Sequence, residues 1–335
     1  MRNPAFELHK RATVVDAHID TLLDIMIPPA RADKFPTPRS LGVRSDRGHV
    51  DLPRLFEGGI DLQIFAAYIQ PQYKIERALH RALQLIDRFH QELRAHEEKL
   101  MLFTRVSDVH DAEKNGKIAA MLSIEGGEAV EADLGILRML HRLGLRAMTL
   151  TWNERNQIAD GAGEGRTRGG LTNFGVELVN EMNHIGVVVD VSHLSDNGFS
   201  DVIETTNKPI IASHSNCRSL CNHRRNLTDE MIKRLAENGG VMGMNFASDF
   251  VDEKKENATI DRVLDHIDHV VKIGGIETVG LGSDFDGIER PPKGLEDVTK
   301  MPYLTVGLVK RGYKEDEIRK ILGENFLRVF KEVIG

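Results

Sequence analysis

Residues 14–24 read VVDAHIDTLLD, an apolar run that closes by placing His18 and Asp20 two residues apart. Side chains on a strand alternate faces with a period of two, so an extended conformation here sets the imidazole and the carboxylate on one face. Both are ligands for a borderline metal such as zinc. An isolated H-x-D is also an ordinary strand end meeting water, so its meaning depends on what the rest of the chain brings to it.

The rest of the chain repeats the pattern. Short β-branched runs at 13–19, 60–67, 119–124, 147–151, 187–191, 209–213, 240–245 and 278–282 alternate with longer amphipathic stretches such as GILRMLHRLG, FGVELVNEMNHIG and IDRVLDHIDHVVKIGG, several ending in glycine. That alternation predicts parallel βα units, and eight of them close an α/β (β/α)8 TIM barrel. No Pro/Ser-rich linker, low-complexity block or repeat divides the 335 residues. The chain therefore reads as one domain over 1–335, with a Pro- and Arg-rich insertion at 25–57 after the first strand. The final KEDEIRKILGENFLRVFKEVIG has the pattern of a closing amphipathic helix.

Composition narrows the function. A hydrophobic content of 41% supports a sizeable core, and a net charge of −7 without a dense Lys/Arg block argues against nucleic acid or an anionic membrane surface as partner. Small-molecule chemistry is expected instead. Cys217 and Cys221 are the only cysteines, too few for a disulfide framework or a paired zinc knuckle. The opening MRNPAFELHK has no apolar signal core, and no stretch approaches the ~20 apolar residues of a membrane span, so a cytoplasmic enzyme is expected.

Barrel active sites form at the carboxyl ends of the strands. Several expected strands end in ligand-type residues there: His18 and Asp20 on the first, Glu125 on the third, His193 on the fifth, His214 on the sixth and Asp284 on the eighth. Three imidazoles and three carboxylates at one pole suffice for two metal ions, provided a carboxylate bridges them, and Glu125, alone on its strand, is the expected bridge.

The motifs HID, SIEG, VDVSH, SHS and GSDFDG, in this order, resemble the membrane dipeptidase (renal dipeptidase, M19) family of the amidohydrolase superfamily. The likeness extends to VDLPRLFEGGI near residue 50 and LGENFLRVF at the end. It implies a zinc-dependent dipeptidase, with one zinc on His18, Asp20 and Glu125 and the other on Glu125, His193 and His214. It further implies a proton-transfer role for Asp284, a grip by Arg225 on the substrate carboxylate, and a homodimer.

The chemistry of the residues agrees with that scheme. A water shared by two zinc ions loses a proton near neutral pH and yields a hydroxide able to attack an amide carbonyl, and no G-x-S-x-G nucleophile elbow is present to compete. The leaving amine must be protonated by a group that binds no metal; Asp284 is the candidate, with Asp286 on the same expected face as a weaker one. Arg225 offers a planar fork for a dipeptide carboxylate, and Asn153 and Phe250 are further candidate substrate contacts. One residue departs from the resemblance. Mammalian members carry a histidine where this chain has Trp152, which can orient substrate or form a pocket wall but cannot exchange a proton near neutrality.

Other motifs are set aside. His49-Val-Asp51 leads into Leu-Pro and reads as a loop contact, His266 and His269 fall on an outer helix, and His80, His90, His96 and His110 are expected to be solvated. GAGEG at 161–165 lacks the context of a phosphate loop and reads as a mobile lid. Two rival functions remain: another binuclear amidohydrolase acting on a cyclic amide, lactone or deamination substrate, and a non-catalytic metal- or peptide-binding barrel.

Overall fold

The computed structural model describes residues 4–26, 37–74 and 76–335. Residues 27–36 of the expected insertion at 25–57 lie outside that range. Nine strands occur among the described residues: β1 Val15–Ile19, β2 Leu62–Tyr68, β3 Leu100–Leu102, β4 Ile118–Glu125, β5 Leu145–Thr149, β6 Val188–Asp190, β7 Ile211–Ser215, β8 Val241–Met244 and β9 Val279–Leu281. Neighbours run β2-β1-β9-β8-β7-β6-β5-β4, and a β2–β4 pairing closes the ring. All pairs are parallel. The result is the expected TIM barrel of eight strands. The strand β3 was not foreseen: it pairs only with Ile118–Ala120 at the start of β4, short of the point where β5 takes over that edge at Leu122.

Helices return the chain between strands, and their ends carry the sequence signals that stop and start them. Thr172, Ser195, Thr228 and Thr259 each accept a hydrogen bond from a backbone N–H in the first turn of the following helix. Gly186, at φ 78°, ends the helix Asn173–Ile185 in the left-handed conformation that glycine adopts without a Cβ clash. Val15, Leu62, Ile64, Met121, Val188, Ile211 and Val241 fill the lower interior, and Phe326 and Phe330 of the closing helix Asn325–Val333 plug it from below. A separate, larger apolar layer lies between the strands and the outer helices. The histidines expected to be solvated divide: His80 and His110 are exposed, whereas His90 contacts the Leu143 carbonyl at 2.8 Å and His96 lies 3.3 Å from Glu92.

Two irregularities position the upper pole. Between Asp16↔Gln63 and Ile19↔Phe65, β1 advances three residues against two on β2, and between Ala212↔Met242 and Ser215↔Met244, β7 does the same against β8. Each is a β-bulge, which re-aims the side chains beside it, and the two bulges contain His18 and His214. The β7 bulge needs room. A Cβ on Gly243 would lie 2.1 Å from the Ser213 carbonyl oxygen, and one on Gly282 only 1.7 Å from it. Glycine at both positions lets that carbonyl approach. Replacing Gly282 with alanine is expected to destabilise the protein by about 2–3 kcal/mol, read as a lower denaturation midpoint; an unchanged midpoint would show that β7 can shift without loss.

Candidate active site

The candidate residues converge at the carboxyl ends of the strands. Asp20, just beyond β1, begins the short helix Thr21–Ile25, Glu125 ends β4, His193 follows β6, and Asp284 follows β9. His193 and Asp284 adopt φ of 67° and 62°, a left-handed conformation that costs non-glycine residues of order 1–3 kcal/mol and gathers at functional sites. Donor atoms fall into three compact groups: His18, Asp20 and Glu125; Glu125, His193 and His214; and His18, His214 and Asp284. Glu125 Oε2 lies 3.6 Å from His18 Nε2, while its Oε1 lies 2.9 Å from His193 Nε2 and 3.6 Å from His214 Nε2. The two carboxylate oxygens thus face different imidazoles.

Electrostatics in this pocket favour cations. Burial opposes ionisation of Glu125, yet the charge of His18 beside it holds its carboxyl well below the usual range. Burial likewise opposes charge on His18, and Glu125 and Asp20 overcome it, raising the imidazole well above its ordinary value. Burial, assisted by Arg225, lowers His193 to about 3, and burial with the charge of His18 takes His214 well below its usual value. Two neutral imidazoles therefore direct nitrogens that are 2.9 Å apart at an anionic carboxylate, and His18 Nε2 is buried without a hydrogen-bond partner. Neutral imidazole and ionised carboxylate are the ligand forms of both groups, and this donor set suits borderline divalent ions.

Neighbouring groups fix the imidazole tautomers. Ser213 Oγ donates to Asp190 Oδ2 at 2.5 Å, leaving its oxygen to accept from His214 Nδ1 at 2.7 Å, while Thr149 Oγ1 donates to the same Asp190 oxygen at 2.7 Å. Asn153 Oδ1 accepts from His193 Nδ1 at 3.0 Å. Both Nε2 atoms are then left as lone-pair donors facing the centre.

Comparison with known proteins agrees with this geometry. The chain matches the membrane dipeptidase family, peptidase family M19, over residues 2–334. The chain belongs to that family. An uncharacterized dipeptidase of Schizosaccharomyces pombe is 36% identical over 344 residues, spanning 97% of this chain and 82% of its own length. The crystal structure of the metallopeptidase called dipeptidase AC, of family M19, is 31% identical and superposes with a TM-score of 0.88 over 97% of this chain and 99% of its own. A metallopeptidase from Rhodobacter sphaeroides, solved with a phosphinate mimic of the dipeptide L-Ala-D-Ala, is 30% identical with a TM-score of 0.87, covering 96% of this chain and 99% of its own. The protein is therefore a metallo-dipeptidase of family M19, with peptides as substrates, and the cyclic-amide and non-catalytic readings fall away. Despite the word membrane in the family name, no helix among the described residues is long and apolar enough to cross a bilayer.

In this M19 barrel a cleft of ≈ 320 Å³, of dipeptide size, opens above the donor groups. Trp152, Asn153 and Phe250 all line it. Trp152 stacks on His193 with ring centroids 5.8 Å apart, and it also meets Tyr68 at 5.3 Å, which makes it a wall over the centre. Arg225 is buried below Phe250, its Cζ 5.6 Å from the ring centroid; Nη2 donates to the His214 carbonyl at 3.1 Å, while Nε has no hydrogen-bond partner. Burial moves Asp284 up to about 7, opposed by His18 and reinforced by Asp20 and Glu125, and Asn245 Nδ2 donates to it at 2.9 Å.

Two expectations need correction. Asp286 does not share the face of Asp284: its buried carboxylate pairs with Arg39 and accepts from Thr21 Oγ1 and the His49 N–H, both at 2.6 Å. Asp284 and Asp286 both have positive φ, so strand alternation does not apply to them. The segment 161–165 is fastened to the site rather than free to swing, since the N–H of Ala162 donates to the His193 carbonyl and that of Gly163 to the Asn153 carbonyl, each at 2.7 Å. His266 lies on the outer helix Ile260–Gly274, as expected, and is buried there with both nitrogens engaged, Nδ1 by the Cys217 N–H at 3.0 Å and Nε2 by the Val251 carbonyl at 2.9 Å. Asp190, Ser213, Asn245, Tyr68 and Arg290 were missed. Of these, only Asp190 and Ser213 carried a signal, as members of VDVSH and SHS. Ser213→Ala is expected to weaken divalent-metal affinity about 10- to 100-fold in a chelator competition while the fold persists. Unchanged affinity would remove the Asp190–Ser213–His214 chain from the centre.

Proposed function

We propose that this metallo-dipeptidase holds two zinc ions, one on His18, Asp20 and Glu125 and the other on Glu125, His193 and His214. The observation that carries the reading is the position of Glu125 in two donor groups, with one oxygen toward each. When bound, such a pair of cations supplies Lewis acidity to the scissile carbonyl and makes a shared water acidic enough to attack as hydroxide near neutral pH.

The chain's own residues supply the rest. Asp284, with a carboxyl near 7 and a hydrogen bond from Asn245, takes the proton of the attacking water and passes it to the leaving nitrogen. Arg225, whose buried Nε is unpartnered, holds the substrate's terminal carboxylate from below Phe250. Trp152 and Phe250 wall the cleft, and Asn153 borders the substrate while steadying His193. Acceptance of a D-residue at the C-terminal position is part of the proposal, supported by the L-Ala-D-Ala mimic held by the Rhodobacter relative. The single functional domain, the cytoplasmic location and the homodimer belong to it as well, and rest on the sequence and the family resemblance.

Chelation is expected to abolish hydrolysis of L,L and L,D dipeptides, with recovery on adding two equivalents of zinc. Asp284→Asn is expected to keep both metals by elemental analysis and lose about 10²- to 10⁴-fold in kcat. Loss of a metal in that variant would make Asp284 a ligand, and full turnover would remove it from proton transfer.

A further inference from the structure

One cation in the cleft has no part in the chemistry above. Among the described residues lining the cleft, Arg290 is the only arginine or lysine. Its side chain is exposed, and no hydrogen bond or ion pair joins its guanidinium to a described residue. Its backbone is held, however, because the Arg290 carbonyl accepts from the Ser248 N–H at 3.2 Å. That bond joins the loop after β9 to the segment Ser248–Val251 after β8, and the two form one wall. Asp249, the acid on the facing segment, pairs with Lys255.

Phe250 belongs to the same wall, with Arg225 beneath it. A dipeptide whose terminal carboxylate reached Arg225 would lay its C-terminal residue beside Phe250, on the wall that carries Arg290. We propose that Arg290 is a specificity-determining residue that selects dipeptides with an acidic side chain, aspartate or glutamate, at the C-terminal position. This rests on the reading of Arg225 as the carboxylate anchor. A guanidinium pairs with a carboxylate through two parallel hydrogen bonds and gains far less from the isosteric amide. The pair sits at a solvated rim, so its effect is modest and screened by salt.

The test compares kcat/KM of the zinc-loaded protein for Ala-Glu against Ala-Gln and for Ala-Asp against Ala-Asn, with the second residue in L and in D form. The expected wild-type preference for the acid is about 3- to 10-fold, falling as salt rises. Arg290→Ala should bring the ratio close to one, and Arg290→Glu should turn preference toward Ala-Lys over Ala-Glu. Dipeptide hydrolysis without acid preference, or with a preference that survives Arg290→Ala, overturns the assignment of Arg290. An Arg225→Ala variant that keeps the wild-type KM for all of these dipeptides overturns instead the reading of Arg225 as the carboxylate anchor beneath it.

Discussion

The structure depends on a crowd of ionisable groups in a place almost without water. Asp20, Glu125, His18, His193 and His214 are all buried within a few ångströms of one another, beside Asp284. Removing a carboxylate from water costs several kcal/mol unless positive charge and hydrogen bonds replace the lost solvation. In the protein alone, that replacement comes from a proton on His18 and from a carboxyl at Asp284 moved toward neutrality. Bound metal cations would meet the same need through the lone pairs that the protein already aims at the centre. The left-handed backbone at His193 and Asp284 points the same way, since a rigid scaffold is needed to hold two such residues.

The barrel delivers these groups by departing locally from regularity. Bulges in β1 and β7 contain His18 and His214, and the β7 bulge fits because Gly243 and Gly282 leave space for the Ser213 carbonyl. The two glycines that make room for the bulge and the serine that orients His214 thus act on one short segment. The Asp190–Ser213–His214 chain then fixes the protonated nitrogen of His214, and Asn153 does the same for His193. Packing, register and ligand chemistry meet within a few residues of β7.

Much of this was legible in the sequence because the barrel strands are short, bounded, mostly apolar runs and the ligand-type residues fall where such runs stop. The three-residue β3 carries too few residues for any periodicity to show, and only pairing with Ile118–Ala120 defines it. Asp286 was misplaced because a two-residue spacing implies a shared face only in extended backbone, and both aspartates have left the strand. Asn245 on Asp284, Asn153 on His193 and Arg290 in the cleft follow from how separate loops meet, and no local pattern encodes that. The proposed division of ligands between two metals rests on the family resemblance, and the spacing of the motifs alone leaves it open.

Crystals grown with zinc and measured on both sides of the zinc absorption edge would show directly whether Glu125 stands between two ions. The expected anomalous map has two peaks about 3.5–4 Å apart, one beside His18 and Asp20 and the other beside His193 and His214. A single peak, or none within reach of Glu125 at full zinc occupancy elsewhere in the crystal, would contradict a two-metal centre.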